Sequence, residues 1–238
     1  MDYELFARFY DEIMDDPGRR GARVLEWIAA FRPDARSLLE LGCGTGSILK
    51  QLSSIPSLTG LDRSAEMLAV ASSKVPEARL LRGDMASFAL GLRFDVIVSV
   101  FDTVNHLRDF EAWQSMFDAV HAHLDRDGLF IFDVNTVAEL RRLGGEQPWT
   151  YDFDGNLAIM DVSYEGDGIS LWDIRIFEHL DGARYVLHHE QIGELAVPLA
   201  RIRKALDERF QLLDEIGEDG GPADEHSIKA HFAYRRRR

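Results

Sequence analysis

Three glycines spaced two apart, Gly42, Gly44 and Gly46 in LLELGCGTGSILKQL, stand where an apolar run ends and a helical pattern begins. A buried strand gains nothing from glycine, and a helix start prefers Ser, Thr or Asp. Glycine at this point lets the backbone turn tightly and approach a ligand with no Cβ in the way. Asp62, 20 residues after Gly42, closes the next apolar run, where a carboxylate can accept both hydroxyls of a ribose. Gly83-Asp84-Met85 closes a third run and offers a carboxylate to an exocyclic adenine amine and a thioether to the ring face. Together these residues ask for a nucleoside.

Two nucleoside cofactors compete. The dinucleotide fingerprint G-x-G-x-x-G seats a pyrophosphate over a helix N-terminus. Here the spacing is G-x-G-x-G, Ser47 follows, and Glu40 precedes the first glycine by two. That pattern favours S-adenosylmethionine, leaving an NAD(P)-dependent oxidoreductase as the alternative. Candidates for acid–base work follow the next two apolar runs: Asp102, Asn105 and His106 after FDVIVSV, and Asp133 and Asn135 in LFIFDVN. Each also has a plain structural role open to it, since His106 can cap a turn and Asp102 and Asn105 can fix a loop. Asp133 sits inside an apolar strand pattern, where a carboxylate is costly unless paired. His188 and His189 are adjacent and would face opposite sides of a strand, so with His179 they make no joint site, and no metal is expected.

The elements that must hold these groups alternate. Leu5, Phe6, Phe9 and Ile13 have helical spacing, Asp16-Pro17-Gly18 breaks it, and Val24 to Phe31 forms a second helix. Strands at 37–41, 58–61, 78–81, 94–100 and 129–135 alternate with helices, Ser64 being the N-cap of one of them. Five strands with helices between them imply a doubly wound, mostly parallel sheet. From Trp149 to Ile192 short runs are separated by Asp154-Gly155, Gly166-Asp167-Gly168 and Asp181-Gly182, the turn pairs of hairpins. Trp172, Ile174 and Ile176 alternate with Asp173 and Arg175, giving one wet face. A helix at 199–206 and strands at 211–216 and 228–234 complete an α/β fold of seven main-sheet strands with an antiparallel β insertion after the fifth. The expected domains are 1–148 for the N-terminal helices and cofactor core, 149–192 for the insertion, and 193–238 for the rest of the core.

A net charge of −14 repels phosphate backbones, and the dense basic run, Arg235 to Arg238, reads as a solvated tail. A small-molecule partner is expected, with no nucleic acid. No run of about 18 apolar residues calls for a membrane. The single cysteine, Cys43, suits a reducing cytoplasm and, lacking a base or cation beside it in sequence, reads as packing.

LLELGCGTGSILKQL, GLDRSAEMLAVA, RLLRGDMASF and FDVIVSVFDTVNHL resemble the successive motifs of class I S-adenosylmethionine-dependent methyltransferases, over roughly residues 1–135. FYDEIM and the insertion further resemble a small-molecule subgroup that includes aminosugar N,N-dimethyltransferases. The resemblance implies a Rossmann-like methyltransferase fold and methyl transfer to an N or O atom by in-line displacement. A catalytically silent cofactor-binding module is the alternative from another class. It also implies that Gly42, Gly44 and Gly46 line the methionine part, with Cys43 a variable residue of that loop. Asp62 would bind the ribose, Asp84 and Met85 the adenine, the backbone of Val100 and Phe101 the ammonium, and Tyr10 the carboxylate. Glu40, Arg63 and Met67 complete the expected cofactor contacts. On the acceptor side stand His106, Asp133 and Asp102 as catalytic candidates and Asn105, Asn135, Trp149, Tyr151 and Trp172 as substrate candidates. The insertion is expected to be a lid or substrate wall, or the interface of a homodimer.

Overall fold

The computed structural model describes residues 6–14 and 19–237. Leu5 and the break at Asp16-Pro17-Gly18 lie outside the described residues. The chain runs α1 (Tyr10–Ile13), α2 (Arg19–Phe31), β1 (Ser37–Leu41), α3 (Ser47–Gln51), β2 (Ser57–Asp62), α4 (Ala65–Lys74), β3 (Arg79–Arg82) and β4 (Phe94–Ser99). A 3₁₀ turn (Thr103–His106) leads into α5 (Phe110–His123), β5 (Leu124–Asn135) and α6 (Val137–Leu143). Then come β6 (Trp149–Phe153), β7 (Asn156–Gly166), β8 (Ile169–Asp181), β9 (Arg184–Leu195), α7 (Leu199–Leu206), β10 (Phe210–Gly217) and β11 (Lys229–Arg236).

The main sheet has seven strands in the order β10-β11-β5-β4-β1-β2-β3. β5, β4, β1, β2 and β3 run parallel, while β11 lies antiparallel to both β5 and β10. Its inner strands are apolar at successive positions because both faces are covered. Leu38, Val96, Val98, Leu129 and Ile131 meet Val24, Ile28 and Leu49 of α2 and α3. The alternate residues Leu39, Ile97, Phe130 and Phe132 meet Trp113, Phe117, Ile202 and Leu206 of α5 and α7. Each such buried side chain contributes about 1.5–3 kcal/mol. The strand order reverses between β1 and β4, which opens a crevice at their carboxyl ends.

The second sheet is antiparallel, β6-β7-β8-β9. Its first two hairpins turn at Asp154-Gly155 and Asp167-Gly168, where both residues of each pair have positive φ, as a two-residue turn of right-handed strands requires. Its inner face, with Phe153, Ala158, Ile174, Ile176 and Ile192, receives Phe6 and Phe9. Among the described residues no helix is long and apolar enough to cross a membrane.

Three expectations change. The N-terminal helix covers only Tyr10–Ile13, because residues 6–9 form turns that drive Phe6 and Phe9 into the second sheet. A helix not foreseen, α6, follows β5, capped by the Thr136 hydroxyl accepting from the Glu139 N–H at 3.1 Å. The basic run is not a solvated tail. β11 extends to Arg236, Arg235 donates to the Phe31 carbonyl at 3.3 Å, and Arg237 donates to that of Phe210 at 2.7 Å.

Candidate functional site

A cleft of about 380 Å³ opens at the carboxyl ends of β1, β2, β3 and β4, under the edge of the second sheet. The glycine loop forms one wall. Gly42 and Cys43 N–H groups donate to the Leu61 carbonyl at 2.7 and 3.1 Å, folding the loop across β2. Gly42 has φ +65, and a Cβ there would lie 2.1 Å from the Thr103 side chain. Gly44 has φ +51, and a Cβ there would meet nothing within 4 Å, so it would project into open cleft. Gly46 instead packs on Ala71 and Val75 of the α4 segment.

Asp62 ends β2 in the cleft, its Oδ2 accepting the Gly44 N–H at 2.8 Å and its Oδ1 the Ser64 N–H at 2.9 Å. Burial raises its carboxyl pKa despite those bonds. Arg63, Met67, Asp84 and Met85 line the same end, and Tyr10 and Phe101 the other. Glu40 lies behind the loop, 2% exposed, with Oε2 buried and without a hydrogen-bond partner. Burial pushes that carboxyl well above the usual range. Cys43 and Val100 are buried and do not line the cleft, and burial likewise pushes the Cys43 thiol up.

The loop after β4 is bent sharply, with Phe101 at φ 71 and Asp102 at φ 50. Asp133, 1% exposed on β5, holds that bend by accepting the Phe101 N–H at 3.0 Å and the Asp102 N–H at 2.6 Å. It lies beneath the cleft wall, so its geometry is that of a support. The Arg20 guanidinium covers the Phe101 ring at 3.8 Å, and Tyr10 meets the same ring edge-on at 6.3 Å. Asp102 is ion-paired with Lys229. Burial alone would raise the Asp102 carboxyl, but the Lys229 ammonium holds it below the usual value. His106 lines the cleft, and burial lowers its pKa, so the ring is neutral at pH 7.

Neither Asn105 nor Asn135 lines the cleft, although Asn135 donates to Glu194, which does. The Asn105 amide donates to the Asn135 and Leu195 carbonyls at 3.1 Å each, and its Oδ1 accepts the Asn135 N–H at 3.0 Å. Asn105 therefore ties the ends of β5 and β9 together. Trp172 lines a smaller pocket of about 40 Å³ that shares Tyr10, Phe101, His106 and Glu194 with the main cleft. Trp149 stacks on Trp172 at 5.9 Å without reaching either cavity, and Tyr151, 44% exposed, also lines neither. His188 bonds Glu178 and His189 bonds Asp173, so the two rings serve different carboxylates.

Two residues were not foreseen. Glu194 on β9 is 5% exposed and lines both cavities, and Lys229 approaches Asp102 from β11. Glu194 had a signal: positions 188, 190, 192 and 194 share the more buried face of β9, so a period-two reading puts this acid inside. Lys229 had none, being 127 residues from its partner.

A doubly wound sheet of this strand order, with a glycine loop after β1 and an acid closing β2, defines the class I S-adenosylmethionine-dependent methyltransferase fold. Residues 38–128 match the family model described as "Methyltransferase domain". The chain further resembles aminosugar N,N-dimethyltransferases. It is 33% identical over 132 residues to the dTDP-3-amino-3,6-dideoxy-alpha-D-glucopyranose N,N-dimethyltransferase of Streptomyces fradiae, covering 53% of this chain and 52% of that protein. The dTDP-3-amino-3,4,6-trideoxy-alpha-D-glucopyranose N,N-dimethyltransferase of Streptomyces venezuelae is 29% identical over 131 residues, 55% of each chain. This chain thus spans about half the length of these curated relatives. A crystal structure of an S-adenosylmethionine-dependent methyltransferase from Clostridium acetobutylicum superposes with TM-score 0.86 at 25% identity, covering 97% of both chains. The fold is also that of CalS10, an amino pentose methyltransferase from Micromonospora echinaspora, with TM-score 0.80 at 23% identity over 100% of this chain and 98% of that one.

Proposed function

We propose that this protein transfers a methyl group from S-adenosylmethionine to the amine nitrogen of a small molecule. The observation that carries the reading is one cleft lined both by nucleoside-binding groups (Gly44, Asp62, Asp84 and Met85) and by His106 and Glu194, with Asp102 beside them in the adjoining pocket. The residues fit the cofactor on their own evidence. The open space above Gly44 is one a side chain would fill, and Asp62, Asp84 and Met85 offer the acceptors and thioether that a nucleoside needs.

When bound, the cofactor supplies a methyl group on a positively charged sulfur with a good leaving group already in place. The chain supplies alignment. Asp62 would hold the ribose hydroxyls, Asp84 and Met85 the base, and Tyr10 with the Phe101 backbone the amino-acid end. Ile169, Leu171, Ile192 and Leu195 of the second sheet line the same cleft. We read that sheet as the substrate wall. Proximity of this kind lowers a barrier by about 7–11 kcal/mol. The buried single thiol, Cys43, suits the cytoplasm as the setting.

Isothermal titration with S-adenosylhomocysteine tests the reading. Binding by the wild type, and its loss in Asp62→Ala, is the expected result. Binding of NADH with no binding of either sulfur nucleoside would refute it, and tRNA at low salt should give no heat.

A further inference from the structure

Resting on that reading, we propose that Glu194 is the group that receives the acceptor's ammonium and takes its proton before methyl transfer. Two carboxylates, Asp102 and Glu194, and the His106 ring offer atoms that all lie within 4.8 Å of one another. Asp102 is already committed to Lys229 and, through its backbone, to Asp133. The Gly193 backbone lies beside the His106 ring. Glu194 forms no ion pair among the described residues, and its one hydrogen bond there is from Asn135 Nδ2 to Oε2 at 3.0 Å. Oε1 is left to the cavity. Glu194 is thus the carboxyl of the cluster with no cation paired to it among the described residues, at the junction of the main cleft with the smaller pocket.

The support around Glu194 is rigid. Asn135 is fixed by Asn105, which also grips the Leu195 carbonyl next to Glu194, so the carboxyl is held from both sides. The groups facing it pull in both directions. Burial and the charges of Asp102 on the β4 loop and Glu139 on α6 raise its pKa, more than Asn135 and Lys229 on β11 lower it, bringing the carboxyl to about 8. A base with a pKa near the operating pH takes and returns a proton readily. His106, lowered by burial, has less affinity for one.

The ammonium N–H bond breaks, and its proton passes to Glu194 Oε1, leaving a neutral amine. The nitrogen lone pair forms the new N–C bond as the methyl–sulfur bond breaks, and that bond's electrons stay on sulfur. The product is a methylammonium, and Glu194 returns its proton to water at the cleft mouth.

The test uses the full chain loaded with S-adenosylhomocysteine. Its probes are dTDP-3-amino-3,6-dideoxyglucose and the same nucleotide sugar with a hydroxyl in place of the amine. Glutamine at 194 can still accept from Asn135, so Glu194→Gln should keep its melting temperature near that of the wild type and its S-adenosylhomocysteine affinity unchanged. The wild type should prefer the amine, and Glu194→Gln should lose that preference by about ten-fold or more while binding the hydroxyl probe equally. With S-adenosylmethionine, single-turnover transfer to the amine should slow about ten-fold or more at pH 7 in Glu194→Gln. It should recover as the pH passes the amine's own pKa. A wild type that binds the amine no better than the hydroxyl, or does not methylate it, overturns the assignment. So does an unchanged preference in the variant, or parallel pH profiles. Heat from MgCl₂ but not from the amine would make the cluster a metal site and also overturn it. Loss of S-adenosylhomocysteine binding in the wild type would instead sink the methyltransferase reading itself.

Discussion

Replacing Asp133 by asparagine removes one oxygen from a site that uses two. In the native protein Oδ2 and Oδ1 accept the N–H groups of Phe101 and Asp102, which are consecutive non-glycine residues at φ 71 and φ 50. Left-handed backbone at such residues costs about 1–2 kcal/mol each, so the bend carries about 2–4 kcal/mol of strain. Hydrogen bonds to a charged acceptor contribute about 1.5–3 kcal/mol each, enough to hold it. Asparagine keeps one acceptor, now uncharged, and sets its amide against the other N–H. Asp133→Asn should therefore lower unfolding free energy by about 2–4 kcal/mol. Because Phe101 and His106 ride on the released loop and both line the cleft, S-adenosylhomocysteine affinity should fall with it. Urea unfolding followed by tryptophan fluorescence, and titration calorimetry on the folded variant, read the two effects. A loss below about 1 kcal/mol with unchanged affinity would refute the account of Asp133 as the clamp of this bend.

Two further outcomes follow from neighbouring geometry. Both glycines have positive φ, so alanine strains either backbone by about 1–2 kcal/mol. Gly42→Ala also places a Cβ 2.1 Å from Thr103 and should cost more stability, whereas Gly44→Ala meets no protein atom and should in addition lower S-adenosylhomocysteine affinity. Thermal melts paired with calorimetry separate them, and the reverse pattern would mean the cleft is not where the ligand lies. Asp95 accepts from Arg32, the Arg36 and Ser37 N–H groups and the Ser37 hydroxyl, fastening β4 to the start of β1. Burial alone would raise its pKa, but the Arg32 hydrogen bond and the backbone donors outweigh that and lower it. Its contribution is present above the ordinary carboxylate pKa and lost as pH falls through the lowered one. Asp95→Asn should cost about 2 kcal/mol at pH 7 and progressively less below pH 4, as read by urea midpoints across that range.

The parts of the fold that could be read from sequence are those whose cause is local. Ser37–Leu41 and Leu199–Leu206 match the structure because a strand covered on both faces is continuously apolar and a sheet-covering helix keeps its three-and-four spacing. Ser64 caps α4 as its residue type and place suggest, accepting from Met67 N–H at 3.2 Å. Gly42, Gly44, Asp62, Asp84 and Met85 reach one cleft because each follows its own strand to the same sheet edge. The acceptor side was harder to read. Asn105, chosen as a substrate contact, spends its amide on carbonyls 30 and 90 residues away, which no local pattern reveals. Thr136-x-x-Glu139 carried a capping signature for α6 that went unused. Phe6 and Phe9 have helical spacing, but spacing alone does not say which sheet will bury them.

Residues 6–11 lie against segments made much later. Asp11 accepts from the Thr45 and Ser47 hydroxyls of the glycine loop, while the Phe6 N–H reaches Glu190 across 184 positions and Arg8 bonds Glu178 across 170. Tyr10, between them, lines the cleft. Closing so long a loop comes late, after local contacts have formed. A ribosome that has delivered only the first five main-sheet strands has released every group expected to bind the nucleoside but not the roof above it. The side of the cleft lined by Ile192, Glu194 and Leu195 is thus absent from the growing chain until β9 is out.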